Sequence, residues 1–74
     1  MDPATRIIRK LGGEAKVAGI AGTARSAPYR WQHDKSRGGT GGLIPQAHHR
    51  NLLDYAEAHG IELSAEDFLM PRKT

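Results

Sequence analysis

Just after Gly22 the chain reads TARSAPYRW, placing Arg25, Ser26, Tyr29, Arg30 and Trp31 within nine positions. These residues carry two permanent positive charges, forked N–H donors, two hydroxyls and two aromatic systems. A guanidinium presents a planar set of donors that matches paired acceptors on an anion. This is chemistry for holding a polyanion, not for making or breaking bonds. No nucleophile stands with a base, and the Asp and Glu residues form no paired-carboxylate arrangement, so the chain reads as a non-enzyme. The plainer alternative is that both arginines are ordinary solvated charges. Trp31 reads as core rather than as a base-stacking residue, being the largest apolar group present.

The wider charge pattern points the same way. Residues 1–50 hold nine Lys/Arg against three Asp/Glu, a balance of +6. Residues 51–74 hold two against five, a balance of −3. A basic front and an acidic back suit a polyanion-facing surface with a separate rear element. Seventy-four residues make one domain, 1–74, with a thin core. The absence of cysteine removes disulfides and thiolate metal sites, and leaves self-association as a route to stability. His48 and His49 are adjacent and would project about 100° apart on a helix. His33 and His59 add no ligand spacing, so no metal or other cofactor is expected. The run RGGTGG lacks a preceding strand and a following Gly-Lys-Ser/Thr, which argues against a nucleotide loop. No segment has the length and apolarity of a membrane span or a secretory signal, so a cytoplasmic, nucleoid-associated protein is expected.

The elements that must position the basic segment follow from local signals. Asp2-Pro3 starts a helix over about 3–11, with Ile7, Ile8 and Leu11 on one face and Gly12-Gly13 as its stop. Glu14 opens a second helix over about 14–20, where Val17 and Ala21 face the core and Ala18 must be small. Gly22 ends it. A third helix runs from about 25 to 32. Pro28 forbids an earlier start, and Ser26 as cap of a shorter helix is the alternative. Residues 33–43 form a loop, because four glycines in five positions hold neither a helix nor a central strand. It reads either as a flexible wing offering bare backbone N–H groups to phosphate, or as a plain linker. Ile44-Pro45 starts a fourth helix that runs to about His59, with Leu52, Leu53 and Ala56 inward and Gly60 as stop. Residues 61–63 are extended. Ser64 and Asp67 form a capping box for a last helix anchored by Phe68 and Leu69. Residues 70–74 fray. The expected fold is all-α, a compact bundle of about five short helices.

Two short helices joined by a Gly-containing turn form the helix-turn-helix signature. Val17-Ala18, Gly22 and Trp31 resemble the Cro/phage-repressor type of that motif. With Ile44-Pro45 and the segment GGLIPQAHHRNLLDYAEAHGIELSAEDFL, the chain looks like small bacterial Cro-like and YdaS-like regulators, including the group labelled carph-isopro. The resemblance spans about residues 4–70. Thr23 and Pro28 depart from it, each standing where the family usually carries an aliphatic residue. The resemblance implies a lambda-repressor-like domain that binds double-stranded DNA, with the third helix in the major groove. It implies base contacts from Arg25, Ser26, Tyr29 and Arg30. Lys16, Thr23, Lys35, Ser36 and Arg37 are candidates for phosphate contacts. It also implies transcriptional regulation, most simply repression, of prophage or mobile-element origin. Leu63, Phe68 and Leu69 either close the core or make a homodimer contact. Two rival readings stay open. One is a protein-interaction module that docks RNA polymerase or a toxin through Glu62, Glu66 and Asp67. The other is non-specific DNA coating.

Overall fold

The computed structural model describes residues 2–69. It contains four α-helices and three 3-10 turns, and no strand among the described residues. The helices are α1 (Pro3–Leu11), α2 (Glu14–Ala21), α3 (Ala27–Trp31) and α4 (His49–Ala58). The 3-10 turns are Lys35–Arg37, Gln46–His48 and Ala65–Phe68. The all-α class is as expected. The expected fifth helix is a 3-10 turn, so the α-helices number four rather than five. Residues 70–74, expected to fray, lie outside the described residues.

Local chemistry sets the first boundaries. Asp2 accepts from the Thr5 N–H at 2.8 Å and so caps α1, with Pro3 in its first turn. At the other end of α2, Gly22 takes a left-handed conformation (φ 68°), where an L side chain is strained. The Thr23 N–H then reaches back to the Ala18 carbonyl at 3.0 Å and closes the helix end. Thr23 therefore contributes its backbone to this cap.

The third helix is shorter than the expected 25–32. Pro28 lacks an N–H and fits only in the first turn, so α3 starts at Ala27 with Ser26 before it. The Ser26 side chain makes no capping bond. Residues 24–26 form a turn instead, closed by Ala27 N–H to the Ala24 carbonyl at 3.0 Å. The fourth helix also starts later than Pro45. Pro45 precedes a single 3-10 turn, and α4 proper begins at His49.

The core gathers Ile7, Ile8 and Leu11 of α1, Val17 and Ala21 of α2, Ala27 and Trp31 of α3, and Leu52 and Ala56 of α4. Ile44 and Phe68 complete it. Ala18 is buried, and Pro28 fills the inner face of α3 where an aliphatic residue was expected. Trp31 is core, with only 4% of its surface exposed, and its ring lies 5.4 Å from that of His48. Phe68 is buried at 3%, but Leu69 is 65% exposed and anchors nothing. No helix among the described residues is long and apolar enough to cross a membrane.

The glycine loop is neither a bare wing nor a plain linker. Its N–H groups turn inward onto the C-terminal end of α3. Thr40 donates to the Arg30 carbonyl (3.3 Å), Gly41 to His33 (2.8 Å) and Gly42 to Trp31 (2.8 Å). The Thr40 hydroxyl sits between the carbonyls of Trp31 and Leu43. The Gly42 carbonyl in turn accepts from the Ala4 N–H at 2.9 Å, which ties the loop to the start of α1. Gly39 packs so closely that a Cβ there would overlap the carbonyl oxygens of His33 and Arg30. Backbone cannot yield as a flexible side chain can. Gly39→Ala is therefore expected to destabilise by about 1–3 kcal/mol, a drop of roughly 5–20 °C in Tm. Thermal melts followed by circular dichroism check this, and an unchanged Tm would mean the loop does not seat on α3.

Candidate nucleic-acid interface

The inner face of α3 is fixed by Ala27, Pro28 and Trp31, all buried. That leaves Tyr29 and Arg30 facing outward, and both are exposed. Ser26 stands just before α3 and its carbonyl accepts from the Arg30 N–H at 3.1 Å, so Ser26, Tyr29 and Arg30 share one helical turn, and His33 follows just beyond α3. All four are exposed. Arg25 is exposed in the turn just before them and lies one turn from Tyr29. The four residues expected to meet bases therefore share one outward segment. His33 extends it and was not singled out from the sequence. Its signal was present, since it stands one turn beyond Tyr29.

Lys35, Ser36 and Arg37 form the exposed 3-10 turn that follows α3 directly. Among the described residues the ion pair is Arg6 to Asp67, at 3.8 Å. Arg25, Arg30, Lys35 and Arg37 have no carboxylate partner within the described chain.

Two of the expected phosphate residues are placed differently. The Lys16 ammonium lies 5.8 Å from the centre of the Tyr55 ring on α4, a cation–π contact away from α3. Thr23 is half-buried in the α2–α3 turn. The acidic surface expected to dock a protein partner is also partly occupied. Asp67 accepts from the Ser64 N–H at 2.8 Å and pairs with Arg6. The Glu62 carbonyl accepts from Lys10 at 2.7 Å. Reversing the charge at Asp67 would disturb the fold before it tested a partner.

A polar chain missed from the sequence runs behind the interface. The Thr5 hydroxyl lies 3.1 Å from Asp2 Oδ2 and 2.9 Å from Gln32 Oε1. Gln32 Nε2 donates to Glu14 Oε2 and to the Pro28 carbonyl, each at 3.1 Å. The Gln32 amide holds the Glu14 carboxyl below the usual carboxylate range, helped by the backbone N–H of Glu14 and by the nearby Arg9 charge. Slight burial opposes them.

No group of three His, Asp or Glu among the described residues is placed to hold a metal ion. His49 instead holds the Ile44 carbonyl through Nε2 at 2.7 Å and stacks on Phe68 with ring centres 4.0 Å apart. Two open grooves, of about 380 and 580 Å³, flank α4 and the C-terminal segment and include no residue of α3.

No protein-family model matches the chain, and no curated protein or solved structure is detectably similar to it.

A lowered native pKa makes Glu14 a source of stability above its unfolded value near 4.5, lost as pH falls through the lower folded value. Glu14→Gln removes that dependence. The Tm gap between wild type and the variant is expected to be widest at neutral pH and to close below about pH 4. Melts between pH 7 and pH 3 measure it, and a gap independent of pH would show that the charge is not coupled to folding.

Proposed function

We propose that this chain is a sequence-specific, double-stranded DNA-binding regulator whose α2–turn–α3 unit works as a helix-turn-helix. One observation carries the reading. Tyr29 and Arg30 stand exposed on the outer side of a short helix whose inner side is fully packed, Arg25 and Ser26 stand exposed in the turn just before it, and neither arginine has an ion-pair partner among the described residues. A rigid helix with unspent donors is what reading base edges in a major groove requires.

In this reading each arginine meets a guanine edge or a phosphate, Ser26 adapts to its neighbour, and Tyr29 packs on a thymine methyl or donates to phosphate. Lys35, Ser36 and Arg37 track the backbone just beyond. The loop behind them carries no phosphate role in this reading, because the N–H groups of residues 38–42 are already bonded to carbonyls of residues 30–35. Lys16 and Thr23 contribute less, for the reasons of placement given above. The regulator acts by occluding a promoter, and pairs two-fold through the C-terminal segment so as to read half-sites one helical turn apart. Exposed Leu69, beside the larger groove, supports that pairing.

The test is fluorescence anisotropy on duplexes selected from a random library, against scrambled duplex, at several salt concentrations. A preference of about a thousandfold or more at physiological salt is expected of a sequence reader. Equal, salt-steep binding to all duplexes would mean non-specific coating. No binding at low salt would overturn the DNA reading in favour of a protein partner. Arg25→Ala and Arg30→Ala are each expected to cost about 1–3 kcal/mol on the selected duplex, roughly 5- to 150-fold in Kd. Their Tm should stay at the wild-type value. Lys35→Ala and Arg37→Ala should instead weaken binding to every sequence and reduce the salt slope by about one each.

A further inference from the structure

We infer that Gln32 is a positioning residue, whose side-chain amide fixes the tilt of α3 against the N-terminal ends of α1 and α2. The inference rests on the DNA reading for its consequence, but its geometry stands apart from it. Gln32 is the residue immediately after α3. Its Oε1 accepts from Thr5 of α1, and its Nε2 donates to Glu14, the first residue of α2. Among the described residues, no other hydrogen bond joins α3 or its cap to either helix.

The remaining contact between these helices is apolar, through residues such as Val17, Ala18, Ala27 and Trp31. Apolar burial is not directional and tolerates sliding. Hydrogen bonds weaken steeply with angle and so set a tilt. The amide is also polar in one sense only. Turned over, its oxygen would face two groups that only accept, the Glu14 carboxylate and the Pro28 carbonyl. The lowered Glu14 pKa agrees, since that carboxyl stays ionised and remains an acceptor across the neutral range.

The lever is long enough to matter. From Ala27 to Gln32 the helix rises about 7.5 Å at 1.5 Å per residue, so a tilt of about 15° moves the start of α3, and Arg25 and Ser26 just before it, by about 2 Å. A bidentate contact to a base does not survive such a shift, whereas a phosphate contact adjusts. Gln32 therefore governs discrimination between duplexes more than overall affinity.

Three proteins test this: wild type, Gln32→Glu, and Gln32→Glu combined with Glu14→Gln. The single variant keeps the shape but sets two carboxylates against each other. The double variant reverses the polarity of the same bond, with the amide at position 14 donating to the carboxylate at position 32. Thr5 can still donate in both. Each protein is measured by anisotropy on the duplex selected by wild type and on scrambled duplex, with residual dipolar couplings of the residue 27–32 amides reporting α3 orientation. The single variant should lose about tenfold or more in discrimination, the equivalent of one base contact. Its affinity for scrambled duplex should hold and α3 should reorient, and the double variant should recover both. An unchanged ratio and orientation in Gln32→Glu overturns the inference. So does equal loss on both duplexes without recovery in the double variant, which marks a purely structural role. If wild type selects no duplex, the DNA reading falls, and the couplings alone decide whether Gln32 orients α3.

Discussion

A helix of five residues cannot hold itself together, and most of this fold answers that constraint. The nucleation cost of a helix is recovered only over several turns, and α3 has little more than one. Its last carbonyls, on Arg30 and Trp31, and the His33 carbonyl just beyond, need donors from elsewhere. Thr40, Gly41 and Gly42 supply them, and Gly39 lets the returning chain come close enough. These bonds are not sufficient alone. Each is worth about 1 kcal/mol net, while ordering each loop residue costs about 1–2 kcal/mol. The balance is tipped by burial of Trp31 on the underside of the same helix. Loop and tryptophan are thus one device, and either without the other leaves α3 unformed.

The parts of the fold announced by a single residue were legible in the sequence. Asp2-Pro3, Gly12-Gly13 and Gly22 each act on their own backbone, and α1 and α2 lie within a residue of the expected positions. Pro28 gave a limit rather than a boundary, so the start of α3 moved inward by two residues to Ala27. Composition correctly denied residues 33–43 a helix or strand, but it said nothing of their order. The bonds that order them run mainly between backbone groups of residues 30–34 and 39–42, and the one side-chain contribution, from the Thr40 hydroxyl, follows no periodicity. Gln32 was illegible for a related reason. Its partners Thr5 and Glu14 are 27 and 18 residues away, and no periodicity links them.

The candidate interface residues came from the family resemblance. In the structure Ala27, Pro28 and Trp31 face inward, which leaves Tyr29 and Arg30 facing out. Lys16 differs, because its position on α2 left two outlets. Only the packing of α4 placed the Tyr55 ring where it draws the ammonium away from α3. The acidic rear was misread in part as well. Arg6 pairs with Asp67 and Lys10 bonds the backbone carbonyl of Glu62, so α1 is clasped to the C-terminal segment, while the Glu62 carboxylate itself takes no part.

That clasp divides the positive charge into two groups with different work. The cations of α1 are used within the fold, although an exposed pair at 3.8 Å adds little stability. The cations on and after α3 are not used by the fold at all. Leaving Arg25, Arg30, Lys35 and Arg37 unpaired in one stretch of chain incurs mutual repulsion that no internal contact offsets. Asp34 is the one acid among them, whereas the last third carries Asp54, Glu57, Glu62 and Glu66 beside apolar positions. Binding of a polyanion, as proposed, would relieve that repulsion. The outer face can therefore vary with little effect on folding, while the amide and loop behind it cannot.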